Sequence, residues 1–459
     1  MKKKLLAAAL VATLCLTGCG NTATNETQEE TKTSENVASD SAKADDTQEA
    51  GTESGKKTQV LLWHVMSGDR EEQLQVIVDG FNASQDTYEV VAESQGDYDE
   101  AAAKFLNMAG EDGSPALMQI GDQHLQAMID SQLVENISAM MDKYGYDNKL
   151  LPQVENFYTV DGTMSAMPFN SSSGVIYYNV EALKKAGMDT PPDTFEGLIE
   201  AAPAIAEAND GMKEFSITSW GYLLDQILTN SGYMIANNDN GRSARATEAV
   251  YGEGIQRFYQ FISDLDKAGG FVNYGESDDD INAGFNNGDI SMFITTSAWA
   301  TSIIKSAPFE VGIACLPHFA DREAQGVYAS GGAFVMAKDL NDDVQKGAFE
   351  FLKYATSPEV QATWAANTGY FPVNQDSYDT ETMKQLYTDN PQMKIASDQL
   401  RNAKVNEVTA GPLVTTLVQI RNDMMAGAET VFNGGDPKEA ADMAVESTNQ
   451  ALEAANLQK

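Results

Sequence analysis

Residues 168–179 read PFNSSSGVIYYN, and they set three consecutive serines between a proline–phenylalanine step and an apolar run that ends in two tyrosines. The run from Gly174 to Tyr178 predicts a buried strand. Hydroxyl side chains at the entrance of such a strand have two interpretations. They cap a turn, or they mark a crossing between two lobes, where the backbone passes a water-filled cleft.

A second stretch repeats this pattern. Residues 290–297 read ISMFITTS, which is an apolar run that ends in hydroxyl side chains. Two such stretches favour the cleft interpretation more than either one does alone.

The N-terminal half of the folded chain alternates between strand and helix patterns. Residues 60–63 are a short apolar run, and Leu74, Ile77, Val78 and Phe81 then recur at helical spacing. The alternation continues along the chain and predicts an α/β fold with a largely parallel sheet and helices on its faces.

The composition limits the class of protein. The chain has 459 residues, which predicts two domains or lobes rather than one core. With 30 basic and 68 acidic residues, its net charge is −38. Nucleic-acid binding needs clustered Lys and Arg, so no nucleic-acid partner is expected. A strongly charged, well-solvated surface is typical of a monomer.

The N-terminus has the pattern of a secreted lipoprotein. Lysines at 2–4 precede an apolar run at 5–16 that is too short to span a membrane, so residues 1–18 are predicted to be a signal peptide. The sequence LTGC, which ends at Cys19, resembles the lipobox of bacterial lipoproteins and implies a lipid on that cysteine. An ordinary cleavage site with an incidental cysteine is the alternative. Residues 19–57 carry hardly any large apolar side chain, which predicts a disordered tether. We therefore expect a protein anchored to the outer face of the cytoplasmic membrane, at the cell surface.

No catalytic pattern stands out. The three histidines, His64, His124 and His318, are not at metal-ligand spacing from one another. Ser172 and Ser330 lack the G-x-S-x-G elbow of hydrolases, and no phosphate-binding glycine motif follows a strand. We expect neither an enzyme nor a bound metal or cofactor.

Arg421 is the clearest sign of a binding site. It shares one predicted helix face with apolar residues only: Val414, Leu417, Met424, Ala428 and Val431. A guanidinium is almost never buried without a partner. The partner is either a carboxylate or phosphate ligand, or an internal Asp or Glu.

Several stretches together resemble the extracellular solute-binding proteins of ABC importers, in the class that includes maltose-binding proteins. They are WH at 63–64, GDY at 96–98, FNSS at 169–172, IYYN at 176–179, NGD at 287–289, GGA at 331–333, TGYFP at 368–372 and QIR at 419–421. The resemblance covers nearly the whole chain from residue 59. It implies a two-lobed periplasmic-binding-protein fold of class II type, with the ligand between the lobes. Its implied partners are an ABC permease and the ATPase of that permease.

The resemblance also implies the boundaries of the lobes. Residues 58–167 with 297–353 are expected to form the N-lobe, and residues 168–296 with 354–459 the C-lobe. The expected crossings lie near residues 168–172, 293–297 and 353–358.

Within the family, the binding residues are most similar to those of members that bind sn-glycerol 3-phosphate. The resemblance implies that Tyr98 and Asp122 contact the glycerol hydroxyls. The phosphate is expected to meet Ser172, Thr296, the backbone N–H of Gly332, Tyr370 and Arg421. Asp122 stands where glutamate is frequent, and Thr296 where serine is common. A tryptophan-rich stretch of the family is reduced here to SWGY at 219–222, so Trp220 is a further candidate, although the aromatic residue that stacks on the ligand stays open.

The expected function is capture of glycerol 3-phosphate or a glycerophosphodiester such as glycerophosphocholine. One alternative is a neutral mono- or oligosaccharide, bound by carboxylates and by Trp63, Trp220 or Trp299. A secreted phosphodiester hydrolase is the alternative from another class.

Overall fold

The computed structural model describes residues 57–457 except Asp112, Ser219 and Glu276. The predicted signal peptide, Cys19 and nearly all of the predicted tether lie outside the described residues.

Two separate sheets carry the fold. The first sheet has five strands, in the order Tyr88–Ser94, Thr58–His64, Leu117–Gly121, Ser330–Met336 and Met167–Ser172. Its first three strands are parallel, and Ser330–Met336 is antiparallel to both of its neighbours. The second sheet has four strands, in the order Val311–Ala314, Gly174–Asn179, Ile290–Thr296 and Lys213–Ile217. A small hairpin pairs Thr159–Val160 with Thr163–Met164, as the turn residues predict.

Helices cover both sheets. They are Asp69–Ser84, Tyr98–Met108, Leu125–Ser131, Ile137–Tyr144, Pro152–Tyr158, Val180–Lys185, Phe195–Ala208, Gly221–Asn230, Gly252–Lys267, Asp278–Asn287, Ala300–Ser306, Asp342–Ala355, Pro358–Thr368, Glu381–Asp389, Pro391–Arg401, Leu417–Phe432 and Pro437–Leu457. Asn237–Gly241 is a tight turn in which the last four residues have positive φ. Single 3-10 turns occur at Asp122–His124, Ser297–Trp299 and Gln375–Asp379. The predicted α/β class with two lobes is confirmed by this architecture. The expectation of a largely parallel sheet is wrong, because four of the seven strand pairs in the two sheets are antiparallel.

The hydrophobic pattern explains how the first helix packs. Asp69–Ser84 buries Leu74, Ile77, Val78 and Phe81, the residues that the periodicity singled out. No helix in the described part of the chain has both the length and the apolar character that a membrane span requires.

The three serines mark the point where the chain leaves the first sheet. Ser172 is the last residue of one strand, and Gly174 is the first residue of a strand in the second sheet. Ser173, between them, is fully buried. Its backbone N–H donates to Oγ of Ser297 at 3.2 Å, and its carbonyl accepts from N–H of Ser297 at 2.8 Å. Nε2 of Gln399 donates to its hydroxyl at 3.0 Å.

Two segments differ from the predicted division into lobes, which otherwise stays a prediction. Val311–Ala314 pairs with Gly174–Asn179, so the stretch 297–353 supplies strands to both sheets. The chain consequently changes sheet between Ala314 and Ser330, not at 293–297. The hydroxyls at 295–297 end a strand and cap the next turn instead, because Oγ1 of Thr296 accepts from N–H of Ala298.

The last expected crossing differs in a similar way. Trp364, beyond the predicted boundary at 353, packs on Phe169 of the first sheet with ring centroids 4.9 Å apart. The helix that carries Trp364, Pro358–Thr368, therefore packs on the first sheet.

Candidate functional site

A cleft of about 670 Å³ lies where strands of both sheets end. This volume is in the range of small-molecule sites. The lining residues are Arg70, Asp97, Tyr98, Asp99, Asp122, Gln123, Ser172, Trp220, Gly221, Tyr222, Thr296, Ala298, Trp299, Ser330, Tyr370, Val418, Arg421 and Asn422. Every predicted ligand residue except Gly332 lines the cleft.

Gly332 lies directly behind one of these residues. A Cβ atom at Gly332 would come within 2.7 Å of the Tyr98 hydroxyl and 2.5 Å of Oδ1 of Asn170. Gly331 has a φ of 110°, and a Cβ there would lie 2.0 Å from the Asn170 carbonyl oxygen. The two glycines therefore let their strand pass close to Asn170, where a side chain would not fit.

One side of the cleft is rich in hydroxyl groups. Tyr98 accepts a hydrogen bond from Nδ2 of Asn170 at 3.1 Å, which fixes its phenol while leaving its proton to donate. Burial raises the pKa of Tyr98, so the phenol stays protonated. The Tyr370 ring stacks on Trp364 at 5.6 Å. Ser172 and Thr296 bring two aliphatic hydroxyls to the same cleft. These groups can donate to, or accept from, a polar ligand.

A second group of residues in the cleft is built around Arg421, which is only 8% exposed. Its Nη2 lies 2.5 Å from Oδ2 of Asp122, and its Nε lies 2.9 Å from Oδ2 of Asp225. Nη2 also donates to the Tyr328 hydroxyl at 2.9 Å. Ser330 in turn donates to the free oxygen of Asp122 at 3.2 Å. Of the two partners that the sequence left open for Arg421, this structure has the internal carboxylates in contact.

This cluster keeps the arginine charged. Although burial lowers the pKa of Arg421, the charges of Asp122 and Asp225 raise it well above its usual value. Burial raises the pKa of Asp225 to about 6, against the opposing effect of the Arg421 charge. The guanidinium is thus a fixed cation whose charge is already balanced by carboxylates.

Many lining residues stand at the starts of helices. Tyr98 and Gly221 are the first residues of their helices, Arg70 is the second of its helix, and Asp122 opens a 3-10 turn. Helix starts carry a partial positive charge, although at the Tyr98 helix the carboxylate of Asp97 already accepts from the N–H groups of Asp99 and Glu100. Gly221 is needed where it stands, since a Cβ there would lie 2.4 Å from Cβ of Arg421. The cleft is therefore more favourable to an anion than the net charge of the chain suggests.

Three aromatic side chains line the cleft together. Trp220 and Trp299 meet edge to face at 5.1 Å, and Tyr222 lies 6.0 Å from Trp220. Trp63, the other tryptophan considered for stacking, is buried and does not line the cleft.

Sequence reasoning missed two charged residues here. Asp225 lies in the apolar run LLDQIL, so the argument that singled out Arg421 applies to it equally. Arg70 lies in the polar stretch DREEQ, where nothing in the pattern distinguishes it from a solvated surface residue.

No group of His, Cys, Asp and Glu side chains within the described ranges is arranged to hold a metal ion. The chemistry of the cleft is that of hydrogen bonding, ion pairing and aromatic contact.

The sequence of this chain matches a known protein family. A profile of the bacterial extracellular solute-binding proteins matches residues 77–395. The chain is 29% identical over 394 residues to the sn-glycerol-3-phosphate-binding periplasmic protein UgpB of Yersinia pseudotuberculosis, which covers 84% of this chain and 90% of that protein. It is 27% identical over 408 residues to the protein of the same name from Escherichia coli O1:K1, covering 86% and 92% of the two chains.

Solved structures share the fold. UgpB from Mycobacterium tuberculosis, in complex with glycerophosphocholine, matches with a TM-score of 0.72 and 19% identity, covering 88% of this chain and all of that one. The GacH receptor of Streptomyces glaucescens, a structure series that includes acarbose complexes, also matches with a TM-score of 0.72 and 19% identity, covering 87% and 99%. At this identity, the likeness establishes the two-lobed fold.

Proposed function

The chain belongs to the bacterial extracellular solute-binding proteins, and on that premise we propose that it captures sn-glycerol 3-phosphate, or a glycerophosphodiester such as glycerophosphocholine, for an ABC importer. Proteins of this kind bind a small molecule outside the cytoplasmic membrane and deliver it to a permease. The substrate, the lipid anchor at Cys19 and the monomeric state are parts of the proposal.

The observation that carries the proposal is the position of Arg421. Its guanidinium faces a cleft that also has a hydroxyl-rich side and several helix starts. A phosphate monoester or diester needs cationic and N–H donors, and a glycerol group needs acceptors and hydroxyls. The cleft offers both within one enclosed volume.

Asp122 is the partner of Arg421 that a phosphate is expected to replace. We propose that a phosphate oxygen replaces Oδ2 of Asp122 at Nη2 of Arg421, while Asp225 stays in place at Nε. The released Asp122 carboxylate then accepts from the glycerol hydroxyls. In this proposal Asp122 pairs with Arg421 before the phosphate binds and contacts the glycerol group afterwards.

The relatives support the same class of ligand. The Yersinia and Escherichia proteins carry the name of a glycerol-3-phosphate-binding protein, and their similarity extends over most of both chains.

A neutral sugar is the second candidate. The observation in its favour is the cluster of Trp220, Tyr222 and Trp299, since aromatic faces stack on sugar rings. Asp97 and Asp99 in the same cleft could accept from sugar hydroxyls.

Identifying the solute that co-purifies with the protein tests the proposal. The purified protein is denatured, and the released solute is examined by phosphorus NMR and mass spectrometry. We expect a glycerol phosphoester. A phosphorus-free sugar, released in near-stoichiometric amount, would contradict the proposal and favour the second candidate.

A further inference from the structure

The charge of Arg421 alone does not make the cleft favourable for an anion. Asp122 and Asp225 both contact Arg421, so the local sum of these three formal charges is negative. A phosphate that binds beside this cluster is attracted by one guanidinium and repelled by at least one carboxylate. A second cation is needed near the ligand if the cleft is to prefer an anion.

Arg70 has the required position. It lines the same cleft from the first turn of Asp69–Ser84. Its side chain is half-buried, and no carboxylate of the described residues lies within 4 Å of its guanidinium. Burial raises the pKa of the Tyr98 hydroxyl, and the charge of Arg70 opposes that rise, so the cation lies close enough to act on a predicted ligand residue.

The nearby carboxylates already have partners. Oδ1 of Asp97 accepts from the backbone N–H groups of Asp99 and Glu100 at the start of a helix. Oδ1 of Asp99 lies 2.9 Å from Nε2 of His124. Among the described residues, Arg70 is therefore the arginine of the cleft that has no carboxylate partner.

We infer that Arg70 forms a second anion-recognition point of the cleft, which contacts the phosphate of the bound solute and sets the preference for anionic over neutral ligands. This inference rests on the proposed function and deepens it. It assigns the selectivity for charge to Arg70, while Arg421 contacts the phosphate with its charge already offset by Asp122 and Asp225.

Titration calorimetry with sn-glycerol 3-phosphate and glycerophosphocholine tests the inference. The variants are Arg70→Gln, the conservative Arg70→Lys, and Arg322→Gln. Arg322 is also half-buried but lies outside the cleft, so its variant makes the same change in net charge. We expect at least a tenfold loss of affinity in Arg70→Gln, a smaller loss in Arg70→Lys, and a change below twofold in Arg322→Gln.

The outcomes separate the inference from the proposed function. If the wild type binds a phosphoester and Arg70→Gln binds it within twofold, the inference is overturned and the proposed function stands. If the wild type binds neither phosphoester, the proposed function fails, and the inference fails with it. Thermal unfolding of each variant checks that the fold is intact.

Discussion

Nε of Arg421 lies 2.9 Å from Oδ2 of Asp225, which has no exposed surface. Asp225 also accepts a hydrogen bond from the Tyr328 hydroxyl at 2.7 Å. The buried carboxylate thus joins two residues that face it from different segments of the chain. It orients the guanidinium toward the cleft, and removing one member of such a pair leaves the other charge without its partner.

We predict that Asp225→Ala destabilises the protein by about 3 kcal/mol, because it removes the buried acceptor to which both Arg421 and Tyr328 donate. Urea unfolding followed by tryptophan fluorescence measures the change. Asp321→Ala is the matched control, since Asp321 pairs with Arg257 at an exposed site and its loss should leave the midpoint nearly unchanged. Equal midpoints for both variants would contradict the structural role of Asp225.

The buried carboxyl group of Glu214 is expected to make the stability of the protein depend on pH. It is fully buried in the strand Lys213–Ile217, and burial raises the pKa of its carboxyl to about 9, against a usual 4.5. The folded state therefore keeps a proton that the unfolded state loses between these values, and stability falls as pH rises through that window. We expect Glu214→Gln to remove the loss and to stabilise the protein by about 3 kcal/mol at pH 7.

Unfolding at a series of pH values between 5 and 9 measures this effect. The gain from Glu214→Gln should grow with pH. Glu381→Gln, at an exposed carboxylate, should leave the slope unchanged. A gain that does not vary with pH would rule out the buried neutral carboxyl.

Gly331→Ala should distort the cleft. The added Cβ would lie 2.0 Å from the Asn170 carbonyl oxygen at a φ of 110°, so the strand must move. We expect a loss of about 3 kcal/mol or more in stability. Gly434→Ala is the control for backbone strain alone, because its φ of 86° is also positive but no atom lies within 4 Å of the new Cβ. It should cost only about 1 kcal/mol. Equal losses in the two variants would show that the approach to Asn170 does not matter.

An ion pair outside the cleft links elements that pack on the two sheets, and we expect it to hold these elements together around the cleft. Nη2 of Arg245 lies 2.7 Å from both oxygens of Asp130, which also accepts from the Thr415 hydroxyl. Asp130 belongs to a helix that follows a strand of the first sheet, whereas Arg245 precedes Gly252–Lys267, which packs on the second.

We predict that Asp130→Asn shifts the unliganded protein toward more open forms, which increases its radius of gyration in small-angle X-ray scattering at low salt. Asp398→Asn, which removes two ion pairs within one helix, is the control and should have no effect. The difference should shrink at high salt because ions screen the pair. Identical radii for Asp130→Asn and the wild type at low salt would contradict this role.

Much of the fold could be read from the chain because its hydrophobic pattern is strong. The helix at Asp69–Ser84 and the strands at Gly174–Asn179 and Ile290–Thr296 follow directly from periodicity and apolar runs. The strand Met167–Ser172 does not, because a proline and three polar residues leave it without an apolar run. Only its pairing with Ser330–Met336 makes it a strand, and such long-range pairing leaves no local signal.

The candidate site could be predicted in composition but not in its internal contacts. The resemblance located residues that the structure brings to one cleft, from Tyr98 to Arg421. Which carboxylates face Arg421 depends on how segments 196 and 299 residues away from it in the chain pack against it, so these pairings could not be assigned from the sequence. The place of Arg70 in the cleft could not be assigned either. The charge balance of the cleft therefore needed the structure.

The most direct test of the central claim is titration calorimetry on the wild-type protein, freed of co-purified solute, with sn-glycerol 3-phosphate, glycerophosphocholine and maltose. We predict saturable heat with at least one of the two phosphoesters and none with maltose. Saturable heat with maltose alone would contradict the account.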